Sequence, residues 1–120
     1  MEANRKEQME ALEALKEYNI KMVKALEEVL EELKGNRKED TDEYLNQILQ
    51  GINWELQVIN GTMEALNEQE EQISKTELNQ MIQQVNEAYQ EKNNEKMALV
   101  IEEQLHPFFK ELNQKIQKVC

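Results

Sequence analysis

Between Leu45 and Leu66 seven apolar residues, Leu45, Leu49, Ile52, Leu56, Ile59, Met63 and Leu66, follow one another in alternating steps of four and three. An α-helix turns once in about 3.6 residues, so this rhythm holds all of them on one stripe and predicts a helix packed lengthwise against others. The same segment carries large residues off the stripe, Trp54 and Val58, and glycines at 51 and 61. A helix that is apolar on more than one side is either central in its bundle or touches a second molecule.

The first helix is expected from about Ala3 to Lys34. Leu12, Leu15, Asn19, Met22, Leu26, Val29 and Leu33 alternate by three and four, and Val23 and Leu30 widen the stripe beyond a two-stranded coil. Asn19 is the polar member of this seam. Either it fixes the register of packing, or it lies near a bundle end and is solvated. Gly35 closes the helix as a left-handed cap, and Asn36 to Glu39 form a loop. Asp40, with Glu43 three residues later, reads as a capping box opening the second helix, which runs to about Asn67. At ~1.5 Å per residue both long helices span roughly 40–45 Å. Gly51 and Gly61 each cost about 1 kcal/mol relative to Ala inside a helix, and permit close backbone approach or a bend.

The third helix opens at Ser74, with Glu77 completing the box and Ile73 and Leu78 as the hydrophobic staple. Leu78, Met81, Ile82, Val85, Ala88 and Tyr89 make its buried face. Lys92-Asn93-Asn94 is a turn. A fourth helix starts near Glu95 and carries Met97, Val100, Ile101, Leu105, Phe108, Phe109, Leu112, Ile116 and Val119 inward. Pro107 within it removes a backbone hydrogen bond and clashes with the carbonyl of residue 103, which predicts a kink or a restart. The expectation is an all-α protein: one antiparallel four-helix bundle over residues 1–120, with helices at about 3–34, 41–67, 75–92 and 95–119, two long and two shorter.

Composition agrees with helices. Charged residues make up 32% and hydrophobic ones 39% of 120 residues, with 3 Gly and 1 Pro, a length that suits one core. A formal charge of −11 opposes nucleic-acid phosphates and anionic membranes, so neither is an expected partner. The lone cysteine, Cys120, cannot make an internal disulfide. With no long apolar run and a charged N-terminus, neither a membrane span nor a signal peptide is expected, and the cytoplasm is the default.

The sequence offers little chemistry. Glu103 and His106 form one Glu-x-x-His, half of the ligand set of a di-metal carboxylate bundle, with no second histidine to complete it. Cys120 has no base near it in sequence, Ser74 is used as a cap, and phosphate loops, zinc spacings and calcium loops are absent. No catalytic residue, metal, cofactor or small-molecule substrate is implied. Asparagines recur every seven residues, Asn46, Asn53, Asn60 and Asn67, then Asn79, Asn86 and Asn93, as a polar ladder or as ordinary surface composition. What remains is binding. Trp54 and Val58, with Gly51 and Gly61 beside them and Ala65 nearby, are the candidate partner-binding residues, covered within the bundle or facing a partner.

The stretch YLNQILQGINWELQVINGT, from Tyr44 to Thr62, is similar to a segment shared by small acidic helical-bundle proteins of Firmicute bacteria of unassigned role. The later stretch from Asn86-Glu-Ala-Tyr to Leu105-His-Pro-Phe-Phe is similar to the second half of the same group. The resemblance covers most of the chain and rests on helix-packing residues. In architecture the chain also resembles bacterial flagellar export chaperones, which hold helical termini of filament subunits in apolar grooves. The expected function is a non-catalytic protein–protein interaction module of a bacterial cytosol, binding a partner helix or its own copy. The alternatives are an export chaperone, a structural homodimeric scaffold, and, most remotely, a ferritin-like metal-binding bundle.

Overall fold

The computed structural model describes residues 4–119, and every regular element among them is helical. In chain order these are α1 (Arg5–Leu33), α2 (Thr41–Gly61), the single turn α3 (Met63–Leu66), α4 (Lys75–Gln90), α5 (Asn94–Val100) and α6 (His106–Gln117). A π-helical turn, Ile101–Leu105, joins α5 to α6 without a break. Ala3 and Cys120 lie outside the described residues.

Helix α1 begins where the Asn4 side chain accepts the Glu7 amide proton at 2.8 Å, satisfying an amide that the first turn leaves unpaired. Leu12, Leu15, Asn19, Met22, Leu26, Val29 and Leu33 are all buried, so the stripe read from the sequence is the one that packs. With 29 residues at ~1.5 Å each, α1 runs the full 43 Å of the molecule. It lies along α2 on one side and α6 on the other, and also meets α3, α5 and the π turn. Gly35, at φ +143°, ends it as expected, with the Asn36 amide donating to the Glu31 carbonyl and the Gly35 amide to Glu32.

The start of α2 differs from the capping box. The Asp40 side chain makes no cap hydrogen bond. The Thr41 hydroxyl instead ties the preceding loop to α1: it accepts from the Lys38 amide and donates to the buried Glu32 carboxylate, both at 2.8 Å. A hydroxyl can do both at once where a carboxylate only accepts. The packed face of α2 is wider than the stripe expected. Leu45, Ile52, Leu56 and Ile59, with Leu66 on α3, are buried as that stripe predicts and Leu49 and Met63 are half-buried, while Thr41, Ile48, Gly51 and Glu55 are buried beside it. Nor does the helix reach Asn67. It stops at Gly61, the Thr62 hydroxyl turns back onto the Val58 carbonyl at 2.7 Å, and the chain restarts as α3.

Ser74 caps α4 as expected, accepting from the Glu77 amide at 3.4 Å, and both staple residues, Ile73 and Leu78, are buried. Lys92 closes α4 in the left-handed region, at φ 53°. Asn93 then caps α5, accepting from the Lys96 amide at 3.1 Å. The Pro107 expectation resolves as a widened turn. The His106 amide reaches back to the carbonyl of Ile101, five residues earlier, and Pro107 follows at once in the first turn of α6, so the helix widens before the proline rather than breaking at it.

Candidate binding groove

Helices α2 and α4 flank an open groove of about 530 Å³. Its floor is buried and apolar: Ile52 and Leu56 from α2, Met81 and Val85 from α4, and Leu105 from the π turn. Leu49 and Ile82 form half-buried walls. The rim is polar but uncharged, with Asn46, Gln50, Asn53, Asn86 and Tyr89, whose side chain is 51% exposed. The groove exists because α2 carries more apolar surface than α1 can cover.

The surroundings of the groove are unusual for this chain. Between Tyr44 and Met63 the one charged residue is Glu55, which is buried, and between Leu78 and Asn86 there is none. Elsewhere charge is dense, at 32% overall. Exposed helix faces normally carry Glu and Lys, and depletion of charge is the compositional mark of an interface core. Tyr89 is the one titratable side chain in the lining. Such a surface can bury apolar groups and exchange hydrogen bonds with a partner.

The asparagine ladder divides by role. Asn46, Asn53 and Asn86 belong to the groove rim. Asn67 instead clamps the loop before α4, accepting from the Gln72 and Ile73 amides at 2.8 and 3.1 Å and donating to the Ile73 carbonyl. Asn93 is the α5 cap, and Asn60 and Asn79 are solvent-exposed.

The four residues singled out from the sequence lie away from the groove and do not form one patch. Gly51 is buried beneath α1: a Cβ there would sit 2.3 Å from the Tyr18 hydroxyl and 2.8 Å from Met22 Cε. Trp54, 41% exposed, sets its ring edge against Tyr18, with centroids 5.1 Å apart. Tyr18 thus brings Gly51 and Trp54 together. Val58 is half-buried, and Gly61 faces open space.

Glu55 is the residue the apolar pattern passed over. It lies one turn after Gly51, 0% exposed, and neither carboxyl oxygen has a hydrogen-bond partner. Burial alone, with no charge nearby to offset it, lifts its pKa from 4.5 to about 8. The side chain is therefore mainly the neutral acid at pH 7. Its signal was in the sequence: Leu45, Ile48, Ile52, Glu55 and Ile59 also alternate by three and four.

Asn19 is buried too, and although its amide oxygen has no hydrogen-bond partner, its amide nitrogen is fully used. Its amide nitrogen donates to the Phe109 carbonyl at 2.6 Å and to Asn113 Oδ1 at 3.2 Å, and Asn113 in turn donates to the Lys16 carbonyl. These bonds fix the register of α1 against α6, the first of the two readings of Asn19. The Glu-x-x-His residues do not converge on a site. Glu103 is exposed, His106 Nε2 lies 3.0 Å from Glu27 on α1, and the neighbouring Glu102 pairs with Lys34 at 2.8 Å. No group of three or more His, Cys, Asp or Glu side chains able to hold a metal occurs among the described residues. No described helix is long and apolar enough to cross a membrane.

An all-helical protein with a neutral, apolar-floored groove is the class that fold and site define. Residues 10–115 match the family described as a domain of unknown function, DUF8042, and the chain belongs to that family. No curated protein and no solved structure was found to match it.

Proposed function

We propose that the chain is a non-catalytic protein–protein interaction module, and that the α2–α4 groove is its docking surface. In this reading α2–α3 and α5–α6 each act as one rod, and the whole is an antiparallel four-helix bundle with one side left open. The observation that carries it is a half-open apolar floor framed by charge-free helix faces in a chain of formal charge −11. An amphipathic helix laid in such a groove contributes apolar anchors, and the rim amides supply hydrogen bonds. An export chaperone holding one helical client would use the same surface. A bacterial cytosol suits the module, since nothing in the fold calls for a disulfide.

A photo-reactive residue placed at Asn86 is expected to give discrete protein adducts in cells. The same probe at Glu13, exposed on α1, is expected to give none. Equal labelling from both positions would end the reading, as would persistence of the Asn86 adducts in an Ile82→Glu background.

A further inference from the structure

Resting on the reading of the groove as a protein interface, we infer that its occupant is a second copy of this chain, the two grooves facing each other across a twofold axis. The argument begins with charge. With a formal charge of −11, two copies repel wherever their carboxylates are brought face to face. Exposed α1 is such a surface on balance, with Glu7, Glu10, Glu13, Glu17, Glu27, Glu28 and Glu31 outnumbering Arg5, Lys6, Lys21 and Lys24. The α2–α4 side is not. Glu55 is sealed inside, and no other charge falls between Tyr44 and Met63 or between Leu78 and Asn86. Here two copies can approach and cover their apolar floors without opposing like charges.

The chemistry of the rim selects the same partner. A primary amide carries both donors and an acceptor, so a face of amides complements itself. That is what a twofold interface demands, because the same patch must serve on both sides. Asn46, Gln50, Asn53 and Asn86 form such a rim. A basic helix would be selected by carboxylates, which this rim lacks.

Sedimentation velocity on the full chain, from low to high micromolar, tests the inference. The expected result is a reversible species of twice 14.2 kDa. Salt should tighten it, since screening shortens the repulsion between two acidic bodies from a Debye length of about 30 Å at 0.01 M to about 10 Å at 0.1 M. A double variant, Asn53→Asp with Asn86→Asp, changes exposed residues without changing their shape and is expected to weaken the dimer at least about tenfold, with partial recovery in salt. Gln114→Glu, which adds a charge on exposed α6, should leave it intact. A monomer at every concentration overturns the inference. So does a dimer indifferent to the double Asp variant, or one weakened equally by Gln114→Glu. If the chain is monomeric while Asn86 still captures a different protein, the second copy is excluded and the interface reading stands; a monomer without adducts removes both.

Discussion

On the side of α2 that meets α1, Gly51 leaves no space for a side chain and Glu55 is sealed in without a partner; on the side that meets α4, Leu49 and Ile82 stand half-open between rows of amides. One helix thus has a closed face and an open one, separated by less than half a turn. The closed face tolerates a buried acid because tight burial keeps that acid protonated. The open face is kept free of charge although solvent would accept charge readily. Polarity here does not follow exposure, and that mismatch is what supports the proposal of a docking surface on the open face.

The comparison is broken most sharply by pH. Glu55 has a folded pKa of about 8 against 4.5 in the unfolded chain, so the folded protein holds a proton that the unfolded one releases. The stability this supplies is whole below about 4.5 and is lost as pH rises towards and past 8. At about 1.36 kcal/mol per unit, the swing is on the order of 5 kcal/mol. Thermal melts from acid to mildly alkaline pH should therefore show Glu55→Gln gaining on the parent as pH rises. Parallel curves for the two would mean that the closed face is wet.

Gly51→Leu comes next in size. It forces Tyr18 and Met22 off α2 and is expected to destabilise by about 1–3 kcal/mol in urea titrations. Gly61→Ala, with nothing near the new methyl, should instead stabilise by up to about 1 kcal/mol. If both lose stability alike, close approach is not what keeps position 51 bare. Trp54→Ala removes an edge-to-face contact from a partly exposed ring and should cost about 1 kcal/mol. A loss several times larger would place Trp54 in the core. The smallest effect belongs to the open face: Tyr89→Ala should change monomer stability by less than about 0.5 kcal/mol while weakening association.

The apolar stripe of α1 could be read from Leu12 to Leu33, because that helix is apolar on one main side. The pattern leaves the role of Asn19 between two readings, and buried Gln8 and Glu32 fall outside the stripe. For α2 the periodicity had two solutions. The line through Leu49, Leu56 and Met63 is wholly apolar and was the natural choice; Leu56 on it is buried but Leu49 and Met63 are only half-buried, whereas the line through Ile48 and Glu55 is buried at every position. Periodicity locates an apolar face; it does not rank two overlapping ones, and a buried acid disguises the true centre. Asp40 makes no cap bond because its backbone, at φ −100° and ψ 12°, is not in the extended conformation of a capping residue. The groove was legible in another form, as two charge-free runs in an acidic chain. Which sides of those runs face one another depended on the course of the chain through the loop at Asn67.

The wide turn before Pro107 also determines what a change in length would do. One residue more than a regular helix needs is accommodated between Ile101 and Leu105. Each residue in an α-helix advances the direction of its side chains by about 100°. Adding a single residue to α5, where no widened turn absorbs it, would leave most of α6 helical but swing it by about that angle around its own axis, and Phe109 and Asn113 would leave Asn19. Along this stretch the count of residues aims the last helix as firmly as their identity does, so insertions and deletions there should be far less tolerated than substitutions.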